Sequence, residues 1–528
     1  MNRVAAALAV TLLSAHDVHA APARILVVPF DNVKREGRIF WLGEASAVLL
    51  TDDLNALGQD AITRPERRQA FDRLQVPPVA ALTDATVIRI GQLVGASRVV
   101  VGSLQMEESV LMVHARSIAL DTGRVQVDVT ERGPLTGLFA IFERIARRIA
   151  PSSSTAEIGS QQPPVTVFED FIKGLLAETP ATAINYLNAA LKGQPSFDRA
   201  RLAIWEVFAD QGDHEQALRV VAAVPASSPW ARHGRFLAGL SQLHLKKYDE
   251  AFATFQALAD AQPTATVLNN LGVVQLRRGG TAQTGVPTYY FTKAAEADRG
   301  DADYVFNLGY AYWENRDPPG AVYWLREAVR RNPADGDAHF VLAAALAATG
   351  NSAESTRERE LARRLSARYE EMARRSGGDA VPKGLERIKN EVELPHPGLE
   401  TILAANEQRD QAQLAKFHLD RGKRLFQQEH DRDAVVELNH ALYLSPYLAE
   451  AHVLLGRIHL RNGRITEAIG AFKIAIWSAE TAEAHAALGE AYRQARDAVA
   501  ARAEAERALA LDPASADARQ LLARLDGR

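Results

Sequence analysis

Apolar and polar positions follow two rhythms along this chain, and the change falls near residue 150. Residues 24–30 (RILVVPF) form a short β-branched run containing proline near its end, which predicts a buried strand. Residues 42–57 carry apolar side chains at helical spacing. Residues 61–63 read as a brief strand, 65–74 as a helix opened by Pro65, and 84–94 as another helix. Residues 98–106, 110–120 and 125–130 alternate or run apolar, separated by Glu107-Glu108-Ser109 and Asp121-Thr122-Gly123, and so predict an antiparallel meander. An amphipathic helix over 135–149 closes an α+β unit spanning 24–150, an ordinary domain size.

Beyond it the spacing is helical and one pattern recurs. The clearest copy reads Leu308-Gly309, Tyr312, Ala321, Leu325, Ala328, Pro333. Small residues at the Gly and Ala positions let two antiparallel helices approach closely, while the large residues fill the space between them. Proline cannot continue a helix, so Pro333 ends the unit. Other copies carry Gly239, Ala251, Phe255 and Pro263, or Leu271-Gly272 with Phe291 and Ala294 after an enlarged turn over 278–287. Upstream, Ala217, Val221, Val224 and Pro229 close a unit in which Trp205 takes the small position, and a shortened copy over 168–195 holds Gly174, Ala183, Leu187 and Ala190. Leu342 and Leu346 start a unit whose charged second helix is expected to run on to about Arg375. Downstream copies hold Gly422, Ala434, Leu438, Ala441 and Pro446, then Leu455-Gly456, Ala468, Phe472 and Ala475, then Leu488-Gly489, Tyr492, Ala501, Ala508 and Pro513.

This order of residues resembles the tetratricopeptide repeat (TPR), a helix-turn-helix unit of about 34 residues that cannot bury its apolar stripe alone and therefore stacks into a solenoid. The resemblance implies an all-α TPR solenoid in two arrays, 165–376 and 411–528, joined by an elbow or irregular insertion at 377–410. That stretch contains Gly377-Gly378, Pro382, Pro395 and Pro397, with 385–392 readable as a short helix; a continuous solenoid with a capping insertion is the other reading. The α+β unit in turn resembles the N-terminal domain of TolB-like proteins. It shares the VVPF strand, the Trp41-Leu42-Gly43 helix entry, the Leu93-Val94-Gly95-Ala96 turn leading into Val99-Val100-Val101-Gly102-Ser103, and the Leu120-Asp121-Thr122-Gly123 hairpin. The β-propeller of TolB itself is not among the patterns here, so this resemblance speaks to fold more than to activity.

The ends and linkers add a location. Arg3, the apolar run 4–13 and Val18-His19-Ala20 read as a secretory signal peptide over 1–20, because the run is short of the roughly 20 residues a membrane span needs. Residues 151–164 are rich in Ser, Gln and Pro and predict an exposed, flexible linker. With no cysteine the chain makes no disulfide and carries no lipid-modified cysteine anchor. No later stretch reads as transmembrane, and a periplasmic or secreted protein of the bacterial cell envelope is expected. The net charge of −4 over 528 residues gives no bulk attraction to nucleic acid.

Catalytic patterns are missing: there is no phosphate-binding GxxxxGK[ST], no GxGxxG, no HExxH and no GxSxG. An enzyme is not expected, nor a cofactor. His452 and His459 lie on one predicted helix but already occupy packing slots of their repeat, and no metal is expected there. Asp301 with Asp303, and Asp335 with Asp337, read as helix caps rather than calcium loops. Function is therefore expected on the inward face of each first helix. In the central units that face holds Asn270, Arg277, Phe306, Asn307, Tyr310, Trp313 and Phe340. Asparagine at this place both donates and accepts, as the backbone of an extended peptide requires, and the resemblance to peptide-binding TPR proteins implies that role for Asn270 and Asn307. The bland alternative is that the aromatics only pack between units. In the later array Lys416, Lys423, Arg457, Arg461 and Arg493 form a second inward face, suited to an acidic peptide or a carboxylate, or else simply a solvated surface of mixed charge with Glu450, Glu483 and Glu490. These features describe a non-enzymatic protein-binding scaffold of the envelope. The alternative is an accessory of secretion or envelope biogenesis that oligomerises through its N-terminal domain.

Overall fold

The computed structural model describes residues 24–76, 82–151, 162–280, 285–374, 380–392 and 399–527. The expected signal peptide, most of the 151–164 linker, the middle of the enlarged turn and Gly377, Gly378, Pro395 and Pro397 lie outside the described residues. The chain divides into two compact units, Met1–Val224 and Pro225–Arg528.

The first unit opens with β1 (Arg24–Val27), β2 (Asp31–Asn32), α1 (Leu42–Ala56), β3 (Asp60–Ala61), α2 (Arg64–Arg73) and α3 (Asp84–Leu93). The meander follows as β4 (Arg98–Glu107), β5 (Val110–Ala119) and β6 (Val125–Pro134), and α4 (Leu138–Ile149) closes it. Strand order is β3-β1-β4-β5-β6. β1 pairs parallel with both β3 and β4, and β4, β5 and β6 pair antiparallel as their alternation predicts. The short β2 was not expected, since two polar residues carry no periodicity; it forms because the chain leaving β1 lies parallel to the end of β4, with Asp31 opposite Ser103. Two hairpins come next: α5 (Val165–Leu176) with α6 (Pro180–Gly193), and α7 (Asp198–Asp210) with α8 (His214–Ala222). One hydrophobic core runs from the sheet layer into these hairpins. Phe168 of α5 sits edge-on to Trp41 (6.4 Å) and Phe139 (5.3 Å), and Arg64 donates to the Leu175 carbonyl at 2.9 Å. Each such aromatic contributes about 2–3 kcal/mol by leaving water.

The second unit is helical. Its first run comprises α9 (Ala231–His244), α10 (Tyr248–Ala261), α11 (Ala265–Arg278), α12 (Pro287–Ala297), α13 (Ala302–Glu314), α14 (Pro318–Arg331), α15 (Gly336–Ala348), α16 (Ser352–Leu365) and α17 (Ala367–Arg374). Its second run comprises α18 (Leu399–Gln427), α19 (Asp431–Leu444), α20 (Ala449–Arg461), α21 (Ile465–Ser478), α22 (Ala482–Gln494), α23 (Ala498–Leu511) and α24 (Ala516–Leu525). Consecutive helices pair as hairpins and each hairpin meets the next. The small positions do what their spacing implies: a Cβ on Gly309 would stand 2.7 Å from Leu325 Cγ, and one on Gly272 would stand 2.6 Å from Phe291 Cε1. The two runs touch at Tyr447, whose hydroxyl lies 2.7 Å from both carboxylate oxygens of the buried Glu358 and whose ring stacks with His339. Among the described residues no helix is long and apolar enough to cross a membrane.

Two expectations fail here. The charged helix after Leu346 does not run to Arg375: α16 stops at Leu365, and Ser366 is extended (φ −142°, ψ 118°). The turn brings Tyr369 back to stack on Phe340 at 4.1 Å and to donate to Asp337 at 2.5 Å, contacts that a straight helix would forfeit. Residues 385–392 are not the expected short helix either and form neither helix nor strand. Their backbone groups bond to side chains of the preceding repeats instead of to each other.

Candidate functional site: an occupied repeat groove

The first helices α11, α13 and α15 present one face to residues 380–392. Asn270, two residues before Gly272, donates from Nδ2 to the Lys389 carbonyl (2.8 Å) and accepts the Lys389 N–H on Oδ1 (2.9 Å). Asn307, in the same place of the next unit, donates to the Arg387 carbonyl (2.8 Å) and accepts the Arg387 N–H (2.7 Å). Each carboxamide thus does for one residue what a neighbouring strand would do. The residues gripped are two apart, as one edge of an extended chain presents them. Asn269 completes the ladder: its Nδ2 reaches the Arg387 carbonyl (2.9 Å) and Asn270 Oδ1 (3.3 Å), while its Oδ1 accepts from Asn307 (2.8 Å). All three asparagines are fully buried, and each side-chain nitrogen and oxygen has at least one partner, so most of the polar cost of burial is offset. At the two ends, Tyr310 donates to the Pro382 carbonyl (3.1 Å), and Thr264 (3.2 Å) and Thr266 (2.7 Å) donate to the Val392 carbonyl.

Charge adds a second layer. Arg387 Nη2 lies 2.5 Å from Asp335, its Nη1 is bonded to Asp303, and its guanidinium lies 4.1 Å from the centre of the Phe306 ring. Lys389 Nζ reaches Asp301 (2.6 Å) and Asp303 (2.7 Å) and sits over Tyr304 at 5.0 Å. Burial lowers the proton affinity of both cations, but the aspartates outweigh it and raise both above their ordinary values. Burial likewise pushes Asp303 up, but Arg387 and Lys389 together hold it below the usual carboxylate range. Asp301 is raised by burial, which the single cation Lys389 does not cancel. Glu386 takes the opposite part, pairing with Arg277 at 2.5 Å. An open cavity of about 540 Å³ borders the Arg387 side, lined by Asp303, Asp335 and Asp337 among others.

The residues expected to face a partner are therefore together, but not free. Asn270, Phe306, Asn307, Tyr310 and Phe340 are buried rather than exposed, because the chain's own segment covers most of them and Tyr369 covers Phe340. Arg277 is engaged by Glu386, and Trp313 packs against the core cluster of this run. Asp301 and Asp335 cap α13 and α15 as read from the sequence, accepting from Asp303 N (2.9 Å) and Ala338 N (3.0 Å), and they also hold the two cations.

The later basic face is also neutralised from within. Lys423 pairs with Glu450, Arg457 with Glu483 (2.8 Å), Arg461 with Asp431 and Arg493 with Glu490 (2.6 Å), while Lys416 is exposed. Lys423 and Arg457 bridge successive first helices α18, α20 and α22, so this face is a zipper of surface pairs, each worth about 0–1 kcal/mol. His418, Glu437 and His440 come close enough together to suggest a metal site. Yet the His418–Glu437 contact (2.7 Å) recurs at the same spacing of 19 residues as His339–Glu358 and His485–Glu504 (each 2.6 Å). The recurrence makes it a clamp between the two helices of a repeat. Sequence reasoning missed this clamp, although a histidine followed 19 residues later by glutamate was its visible signal.

Comparison with known proteins agrees with the helical pairing. The tetratricopeptide-repeat family profile matches residues 206–266, 289–335, 306–356, 419–479 and 453–516, and the chain contains such repeats. No curated protein matches the chain in sequence. Among solved structures, the chain is similar to YrrB, described as a TPR protein with an unusual peptide-binding site, at 15% identity over 36% of this chain and 97% of that one, with a TM-score of 0.30. It is similar to Pseudomonas aeruginosa pilF at 18% identity, over 40% of this chain and 97% of that one, with a TM-score of 0.34. It is also similar to MamA from Desulfovibrio magneticus RS-1 at 17% identity, over 32% and 93%, with a TM-score of 0.29.

Proposed function

We propose that this chain is a non-enzymatic protein–protein interaction scaffold of the bacterial cell envelope that captures extended segments of protein partners on the inward face of its repeats. The asparagine ladder is the observation that carries this reading. Asn269, Asn270 and Asn307 are spent on backbone amides, which every polypeptide has and nucleic acid lacks. The N-terminal sheet unit, with its VVPF strand and Leu120-Asp121-Thr122-Gly123 hairpin, supports a TolB-like head that docks a second component. The Arg3 to Ala20 pattern supports export, with the mature chain starting near Ala21. Crosslinking in intact cells, with a photoreactive residue at exposed Lys416 or Tyr443, is expected to join the chain to envelope proteins. Retention in the cytoplasm with its first 20 residues intact would refute the envelope assignment.

One feature favours the secretion-accessory reading. β6 ends the strand order of the sheet and offers an edge of ten residues on which a second head could add. Rings or dimers of the isolated full chain, lost on placing proline at Val127, would support it.

A further inference from the structure

We infer that the groove of α11, α13 and α15 recognises extended protein segments carrying two cations in an i, i+2 arrangement, and that residues 382–392 are a built-in competitor a partner must displace. The inference rests on the scaffold reading above and specifies its ligand. Recognition has two separable parts. The backbone grip on Arg387 and Lys389 is indifferent to side chains, so any extended chain satisfies it. Selectivity comes from Asp301, Asp303 and Asp335, three carboxylates facing only two cations. Phe306 and Tyr304 provide flat faces beneath those cations.

The occupant is suited to being replaced. Of its residues only Leu385 and Glu386 are buried; Lys383, Gly384, Asn390 and Glu391 are exposed. Being tethered, it acts at an effective concentration of about 1 mM, so a foreign segment of equal intrinsic affinity is weakened by the fraction of time the groove is filled. For an intrinsic Kd of about 10 μM that factor is roughly 100.

The test uses a fluorescent peptide of residues 380–393 and two full-length proteins: the unaltered chain, and a variant with Leu385→Gly, Glu386→Ser, Arg387→Ser and Lys389→Ser. The variant is expected to bind the peptide at least about 30-fold more tightly than the unaltered chain, and to lose it when the peptide carries glutamate in place of Arg387 and Lys389. Equal binding to both proteins, or indifference to the peptide's charge, overturns the inference. A second arm needs no variant: excess peptide added to the unaltered chain is expected to speed amide hydrogen exchange of residues 385–392. Unchanged exchange at saturating peptide overturns it, as does a dimeric unaltered chain that the variant makes monomeric, which would put a second copy's segment in the groove. Should the peptide fail while envelope crosslinks persist, the scaffold reading stands and only this inference falls.

Discussion

Replacing Asn307 with alanine should release the bound segment without unravelling the repeats. The substitution removes two hydrogen bonds to Arg387, at 2.8 and 2.7 Å, in a site with no access to solvent. Each bond is worth about 1 kcal/mol net. The Arg387 carbonyl keeps Asn269 as a donor, but the Arg387 N–H loses its acceptor, which adds about 1–2 kcal/mol while the segment stays docked. The total is about 3 kcal/mol, or a factor of roughly 150 in the docking equilibrium. Hydrogen exchange read by mass spectrometry should show the amides of residues 385–392 exchanging up to that much faster, while α14 and α16 stay within about twofold of the unaltered protein. Unchanged exchange at 385–392 would refute the ladder as the holding device. Equal acceleration throughout α11–α16 would mean that Asn307 supports the helix stack instead.

Three other outcomes are expected. Gly309→Ala places a methyl 2.7 Å from Leu325 Cγ and 3.1 Å from the Leu325 backbone nitrogen, so despite the better helix propensity of alanine it should destabilise the second unit by about 1–2 kcal/mol in urea unfolding. Burial, with the added repulsion of Asp52 and Glu143 and against the pull of Arg147, raises Asp53 from 3.8 to about 8. The folded state therefore holds a proton that the unfolded chain releases above 3.8, stability of the first unit falls as pH rises toward 8, and Asp53→Asn should protect its sheet amides at pH 7 by up to about 4 kcal/mol. Burial first, and then Arg357, lower His452 from 6.5 to about 4. Its contribution is complete above 6.5 and is lost as pH falls from there to about 4; His452→Gln should flatten that slope, by as much as about 3 kcal/mol, in thermal melts taken across the window. A parallel slope in the variant would assign the acid sensitivity elsewhere.

Local rhythm was readable because burial writes it into neighbouring residues. Alternation located β4, β5 and β6, and helical spacing with Gly309, Ala321 and Leu325 located a hairpin, since each signal needs only the residues of its own element or its partner helix. That Asn270 and Asn307 bond a backbone was an expectation from the repeat resemblance, and the backbone they bond belongs to the chain itself. What fills the groove was not readable. Lys389 meets Asn270 across 119 residues, and nothing in residues 385–392 alone distinguishes a weak helix from a segment whose partners are side chains. The break at Ser366 has the same origin, in a tyrosine whose stacking partner Phe340 lies on another helix. Sequence by itself determined most of the strands and helices and the stripes on which paired helices pack, because those depend on short-range periodicity. The tertiary structure alone decided that the asparagine-bearing face is covered by its own chain, because that depends on two aspartate-capped helix ends and three asparagines being brought to one place by the stacking of whole repeats.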